Sequence, residues 1–354
     1  MPGPVSSVAA APLVSVVLPV RDAAGTVARA VQGIRAQTLA DWELVIVDDG
    51  SVDGTREILE EVRRADPRVR VLGRPRDGIV AALNAGVAAA RGAFVARMDA
   101  DDEAHPERLA EQAAFLGSAE NQGIGVAGCL VEHGGDPAAN AGYALHVDWL
   151  NSLTAPDEIA LNRFVESPLA HPSVMFRREL VDRHGGYREG LFPEDYELWL
   201  RWLDAGVRMA KVPRTLLRWN DPPGRASRTD PRYSPEAFFA VKAPWIARWL
   251  RARGTGTADG RRVLVWGAGR PTRKRAELLL AHGVRIEGYV DIDARKATAA
   301  IGGTGRPVLL PDDLPPPAEC FVLGYVSSRG ARELIRAALG RRGHVEGRDF
   351  LMCA

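Results

Sequence analysis

The sequence predicts a mixed α/β protein with a mostly parallel central sheet, followed by a second, smaller α/β domain with a Rossmann-like pattern. Three observations lead there. In the first hundred residues, short apolar runs rich in β-branched side chains alternate with helical stretches of ~10–13 residues, the pattern of right-handed βαβ units. A fresh strand–turn–helix pattern begins at Val263-Leu-Val-Trp266, after a stretch of linker composition. With 354 residues, 46% of them hydrophobic, the chain exceeds one average domain and can bury a sizeable core.

In chain order, Ser15-Val-Val-Leu18 is expected to be a strand and residues 26–36 a helix. Leu44-Val-Ile-Val47 is the next strand and residues 55–64 the next helix. Val69-Arg-Val-Leu72, residues 79–90 and Phe94-Val-Ala-Arg-Met98 continue the alternation. Residues 117–169 carry no clear period, with Gly134-Gly135 and several prolines. A second organised block spans 171–212. Residues 221–235, rich in Pro, Arg and Ser, are expected to be a loop. Residues 238–253 read as a helix interrupted at Pro244, and 254–260 as a linker, which puts the expected domain boundary at 256/257.

Charge and cysteine usage exclude several classes. Forty-six basic and 45 acidic residues leave a formal charge of +1, so no overall field draws nucleic acid or an anionic membrane. Cys129, Cys320 and Cys353 are far apart and form no metal-type spacing, which suits a reducing cytosol. No basic stretch precedes the small residues of the N-terminus, so a cleaved leader is not expected. No apolar run approaches the ~18–20 residues of a membrane span. The expected location is the cytoplasm, with contact at the inner face of the membrane left open.

Three acidic groups carry the functional case. In Val47-Asp-Asp-Gly-Ser51 and in Met98-Asp-Ala-Asp-Asp102, a buried-strand run leads directly into carboxylates. Ligands of open α/β sheets sit beyond the carboxyl ends of the strands, so both groups are expected to face one crevice. Three carboxylates in four residues repel one another; at ~4 Å and an effective dielectric near 20, each pair costs up to about 4 kcal/mol. A divalent cation removes that cost, and Mg²⁺ or Mn²⁺ typically combines one or two carboxylates with waters and phosphate oxygens. The alternative for each group alone is a solvated turn or a helix cap. The third group, Glu194-Asp195, opens an amphipathic helix with Tyr196, Trp199, Leu200 and Leu203 at i, i+3, i+4, i+7. Here an acid serving the helix N-terminus and a rigidly held general base are both open.

The ordered series of motifs resembles the family 2 glycosyltransferases, of hexosyltransferase type, over residues 12–230. It comprises Val14-Ser-Val-Val-Leu-Pro-Val-Arg-Asp22, Val47-Asp-Asp-Gly-Ser-Val-Asp-Gly-Thr55 and Ala82-Leu-Asn-Ala-Gly86. Ala96-Arg-Met-Asp-Ala-Asp-Asp102, Pro106-Glu-Arg-Leu109, His171-Pro-Ser-Val-Met-Phe-Arg177, Gly185-Gly-Tyr187 and Glu194-Asp-Tyr-Glu-Leu-Trp199 complete it. The resemblance implies the GT-A nucleotide-diphospho-sugar transferase fold and an inverting, metal-dependent transfer of a sugar from a nucleotide-diphosphate sugar to a glycan or lipid-linked acceptor. It implies nucleotide-sugar contacts from Pro19, Arg21, Asp22, Asp49, Asp99 and Ala100. Asp22 stands where the family usually has asparagine. Asp101, with Asp99, would hold Mn²⁺ or Mg²⁺ at this D-x-D, and Asp195 would be the catalytic base, with Glu194 helping to hold the acceptor. Arg225, Ser227 and Arg228 lie where the family often has a loop touching the diphosphate.

Trp149 is expected either to stack on an acceptor sugar or to belong to the core, and His171 to be positional. Residues 238–253 are expected to pack against the catalytic domain, with a membrane bearing a lipid-linked acceptor as the alternative. After the boundary, Trp266-Gly-Ala-Gly-Arg270 has the form of a G-x-G phosphate turn with Thr272 at the third glycine position. Asp291 follows at about the ~20-residue spacing of a ribose-binding acid. Two rival functions follow from these features: a nicotinamide-dependent oxidoreductase using the C-terminal domain, and a non-catalytic nucleotide-sugar sensor or scaffold.

Overall fold

The structure, a computed structural model, describes residues 11–135, 140–222, 224–256, 260–297 and 305–354. The chain opens with β1 (Val14–Val20), α1 (Val27–Arg35), β2 (Trp42–Asp49), α2 (Thr55–Ala65), β3 (Val69–Arg74), α3 (Ile79–Ala89) and β4 (Phe94–Arg97). Each expected element of the first hundred residues is present, within three residues at its ends. β1 and β2 are buried along their whole lengths, which is why they read as unbroken apolar runs rather than alternating ones.

Next come β5 (Glu103–Ala104), α4 (Arg108–Gly117), β6 (Ile124–His133), α5 (Ala141–Ser152) and α6 (Pro156–Asn162). The stretch without a clear period therefore holds a ten-residue strand and two helices. Gly125, Ala127 and Gly128 dilute the apolar signal of β6, although it is buried from Ile124 to Cys129. β7 (Met175–Arg177), α7 (Glu179–His184), α8 (Glu194–Asp204) and β8 (Arg208–Trp219) form the second organised block. The expected loop at 221–235 contains α9 (Ala226–Thr229) and a 3₁₀ turn at Pro231–Tyr233. The helix after it, α10 (Pro235–Arg251), starts three residues earlier than expected, because Ser234 Oγ accepts from the Ala237 N–H and Pro235 takes the first helical position.

The remaining elements are β9 (Arg262–Trp266), α11 (Arg270–Ala276), β10 (Ile286–Val290), α12 (Ala294–Ala297), β11 (Val308–Leu309), β12 (Cys320–Gly324), α13 (Ala331–Arg341) and β13 (Phe350–Met352).

Two compact units result. The first comprises Met1–Pro156, Leu169–Arg188 and Val207–Pro223; the second comprises Asp157–Pro168, Glu189–Gly206 and Gly224–Ala354. The first unit contains an eight-stranded sheet of order β3-β2-β1-β4-β7-β6-β8-β5. β1 runs parallel to β2 and β4, β2 to β3, and β6 to β8, while β7 and β5 pair antiparallel with their neighbours. At the amino-terminal side of β1 and β2, the buried Glu43 carboxylate accepts from Ser15 Oγ (2.7 Å), the Arg91 N–H (2.8 Å) and Arg70 Nη1 (3.1 Å). Burial pushes the Glu43 pKa up, but the hydrogen bonds from Arg91, Ser15 and Arg70 outweigh it and hold the group low.

The second unit contains a five-stranded, all-parallel sheet of order β11-β10-β9-β12-β13. Its core joins Val263, Val265, Tyr289, Phe321, Leu323 and Tyr325 of that sheet with Phe239, Ile246 and Leu250 of α10 and Tyr196 and Leu200 of α8. α8 is buried nearly all round rather than on one stripe, and its polar members are paired: Arg201 Nη2 meets Glu197 Oε2 at 3.0 Å. Among the described residues, no helix is long and apolar enough to cross a membrane.

Candidate functional site

In the first unit the loops after β1 and β2 are stitched together by the residues that the motifs single out. Asp22 adopts a left-handed φ of 48°, a region that Asp and Asn tolerate better than other side chains. Its N–H donates to Ser51 Oγ (3.0 Å) and its Oδ1 accepts from the Val52 N–H (2.9 Å). The Ala23 N–H donates to Thr55 Oγ1 (2.8 Å). Asp48 is turned to its own loop, accepting from the Ser51 N–H (3.0 Å) and Arg56 Nε (3.0 Å). Asp49 is 4% exposed; its carboxylate accepts from the Asp77 N–H (2.8 Å) and the Gly78 N–H (3.0 Å) and pairs with Arg21 Nη1 at 3.4 Å. Pro19 is buried, whereas Arg21 and Asp22 reach the surface. Pro19, Arg21, Asp22 and Asp49 therefore belong to one continuous rim.

β4 lies beside β1, with Arg97 in register with Val17. Beyond its end, one oxygen each from Asp99, Asp101 and Asp102 lies within 4.8 Å of the others. Asp99, Ala100 and Asp101 are half-buried, and Asp102 is 1% exposed. The end of β8 holds this loop: the Asn220 N–H donates to Asp102 Oδ1 (2.8 Å), and Asn220 Nδ2 to the Asp101 carbonyl (2.7 Å). Beneath it, buried Arg97 pairs through Nη1 with Asp99 Oδ1. Three hard carboxylate donors this close together fit a Mg²⁺- or Mn²⁺-type cation and suit neither a soft metal nor a thiolate site.

Trp149 is half-buried against the first unit's core, 5.8 Å between ring centroids from His146, in an aromatic group with Tyr143 and Trp219. His171 is 8% exposed and pairs through Nε2 with the Tyr187 hydroxyl at 2.8 Å. Burial first, and Arg97 second, push its pKa well below the ordinary histidine value, so the ring is neutral and positional.

Glu194 and Asp195 stand in the first turn of α8, in the second unit. Glu194 is 3% exposed and accepts from the Tyr233 hydroxyl at 2.7 Å. Burial, with the charges of Glu194 and Asp195, raises the Tyr233 pKa far above that of a free phenol, so Tyr233 is a fixed donor. Asp195 is half-buried, and its Oδ1 accepts from the Tyr196 N–H at 2.7 Å. Arg225 is half-buried and its carbonyl accepts from the Arg228 N–H (2.9 Å); the Ser227 side chain lies outside the described residues.

In the second sheet the G-x-G turn forms as expected, but Asp291 is occupied. Its Oδ2 accepts from the Ala268 N–H (3.0 Å) and Lys296 Nζ (2.9 Å), and its Oδ1 from the Asp293 N–H (3.0 Å). A Cβ on Gly267 would meet Thr272 Cγ2 at 2.6 Å, so the residue at the third glycine position closes against the turn.

Arg97, Asn220 and Tyr233 are the site residues that motif reading missed. Arg97 lies inside the quoted Ala96–Asp102 run, but nothing in a strand pattern tells a buried arginine from an edge one. Asn220 and Tyr233 are separated from their partners by 118 and 39 residues, so no local spacing signals them.

Comparison with known proteins adds an independent line. Residues 15–185 match the family described as glycosyl transferase family 2. The chain is 30% identical over 202 residues to the putative glycosyltransferase EpsE of Bacillus subtilis, covering 56% of this chain and 69% of that protein. It is 27% identical over 214 residues to the O-antigen biosynthesis glycosyltransferase WbnJ of Escherichia coli, covering 58% and 79%. In fold it is similar to S. aureus TarS 1-349, solved in complex with UDP-GlcNAc, with a TM-score of 0.54 at 20% identity over 76% of this chain and 71% of that one.

Proposed function

The chain belongs to glycosyl transferase family 2 and is an enzyme of that family, and from this premise we propose that it is an inverting, metal-dependent transferase of polysaccharide biosynthesis. Its donor in this reading is a nucleotide-diphosphate sugar, and its acceptor is a hydroxyl of a glycan or lipid-linked glycan. The observation that carries the proposal is the closeness of the Asp99, Asp101 and Asp102 carboxylates, one strand over from the rim formed by Arg21, Asp22 and Asp49.

In this reading Pro19, Arg21, Asp22 and Asp49 receive the base, and Asp99 and Ala100 meet the ribose side of the donor. Mn²⁺ or Mg²⁺ would be held by Asp101 and Asp99; when bound, it supplies charge stabilisation to the leaving nucleoside diphosphate. A glycosidase needs a second carboxyl group to protonate its leaving alcohol, whereas a diphosphate leaves without that help. One base then suffices. Asp195 accepts the proton of the acceptor hydroxyl as its oxygen attacks the anomeric carbon, and a single displacement inverts that centre. Glu194, oriented by Tyr233, and Trp149 hold the acceptor, and Arg225 meets the diphosphate. Residues 1–256 would carry the chemistry, and residues 257–354 would form a second domain.

A thermal-shift screen of UDP-, GDP- and dTDP-sugars with and without Mn²⁺ tests the proposal, since a ligand of the folded state raises its melting temperature. A rise for one nucleotide class that depends on Mn²⁺ is the expected result. No rise with any of them, with or without metal, would overturn the reading.

A further inference from the structure

Arg97 ends β4 and is 3% exposed, an unusual place for a guanidinium. Its side chain pairs with Asp99 Oδ1, two residues on, while its own carbonyl accepts from Arg108 Nη2 at 2.7 Å. Arg108, in the first turn of α4, is fully buried and is held by backbone and neutral groups. Its Nε donates to Gln112 Oε1 (3.1 Å), and its Nη1 approaches Met98 Sδ (3.3 Å). Burial, with Arg97 adding to it, pushes its pKa below the ordinary arginine value, and Cys129, Asp102 and Asp99 work against that shift. Three carboxylates thus sit above two buried guanidinium groups, which leaves one net negative charge.

That balance bears on the ligand. A cluster of three unopposed carboxylates attracts a divalent cation strongly but still carries net negative charge once the cation binds, and so repels a diphosphate. With the two arginines counted, the loaded cluster is net positive. We propose that Arg97, seconded by Arg108, is a positioning residue that weakens the bare cluster's hold on the cation and makes the loaded cluster attractive to the donor's diphosphate. The inference rests on the proposed metal-dependent transfer and adds a role in selecting the anionic ligand.

The sign of the expected effect separates this from a structural role. Losing an ordinary outer-sphere partner lowers metal affinity about 10–100-fold. Arg97→Gln is expected instead to bind Mn²⁺ about tenfold more tightly by electron paramagnetic resonance, because a repelling charge is gone. With Mn²⁺ saturating, the same variant is expected to bind inorganic pyrophosphate about tenfold more weakly by calorimetry. Arg97→Lys, which keeps the charge but loses the fork, should return both readings to near the parent's. Should Arg97→Gln not fold, Arg108→Met removes the other charge without touching Asp99 and carries the same two readings. Mn²⁺ affinity that falls or stays level in the neutral variant, with pyrophosphate affinity unchanged, would overturn the inference alone. A parent protein that binds no Mn²⁺ would remove the metal-dependent reading as well.

Discussion

The buried ammonium of Lys242, on α10, donates to the carbonyl oxygen of Cys353, just past β13, at 2.7 Å. It also donates to the carbonyls of Phe164 (2.9 Å) and Val165 (3.2 Å). One side chain thus ties the end of the second sheet to the segment after α6 and to the helix that packs on α8. The same core contains Tyr196, the neighbour of Asp195. Within this unit, the C-terminal sheet is part of the support of the helix that carries the proposed base.

Burial pushes the Lys242 pKa down to about 8, with the Cys353 and Glu166 charges working against the shift and Arg275 adding to it. Between about pH 8 and the unfolded value near 10.4, the unfolded chain holds a proton that the folded one has lost. This group's contribution to stability is therefore full above about pH 10 and falls away as pH drops through about 8. The urea midpoint of the parent should gain on that of Lys242→Met as pH rises from 7.5 to 9.5. A gap that is the same at both pH values would show that the three carbonyls keep the ammonium charged throughout.

Asp195→Asn removes the proton acceptor while keeping size and shape. Transfer should slow by ~10²–10⁴-fold, with donor affinity unchanged. Steady-state rates and a donor titration on the same preparation read both; transfer at the parent's rate would remove Asp195 from the mechanism.

Asp101→Asn takes one carboxylate from the acidic cluster. The Mn²⁺-dependent part of nucleotide-sugar binding should disappear, and the metal-independent part should remain. Calorimetry with and without Mn²⁺ separates the two, and metal-dependent binding that survives in the variant would place the cation elsewhere.

Asp49→Asn keeps an oxygen for the Asp77 and Gly78 N–H groups, which both donate to Oδ1, but sets an amide donor where Oδ2 now meets Arg21 Nη1. With the Arg21 pairing lost from the rim, nucleotide affinity should fall about tenfold, or about 1.4 kcal/mol, with the maximal rate little changed. Equal losses in rate and affinity would show that Asp49 acts nearer the chemistry.

Gly92→Ala probes the opposite side of the sheet. A Cβ there would meet Ser15 N at 2.6 Å and the Phe94 carbonyl at 2.9 Å, both backbone atoms that cannot swing away. A loss of about 1–3 kcal/mol in unfolding free energy is expected. Unchanged stability would mean that β1 and the 91–93 turn can separate without cost.

Motif reading found β1, β2 and β4 because each is an apolar run buried on both faces, found β3 by its Val69, Val71 and Leu72, and found the strand-end acids because they stand where those runs stop. It missed β6 because Gly125 and Gly128 interrupt an otherwise buried strand. It made α8 amphipathic because Glu197 and Arg201 look solvated until their ion pair, at 3.0 Å inside the core, is seen. Asp291 passed as a ribose ligand by spacing alone, and spacing carries no information about which donors already fill a carboxylate.

By itself the sequence determined the parallel α/β character, the family and the acidic group at the end of β4, since strand periodicity and strand-end chemistry are local and can be read within ten residues. Only the tertiary structure decided that Arg97 and Arg108 lie buried beneath the acidic cluster, that Asn220 braces it, and that α8 shares its core with the second sheet. Those relationships join residues far apart in the chain. They come from burial and charge balance, which depend on what surrounds a side chain in three dimensions rather than on its neighbours in order.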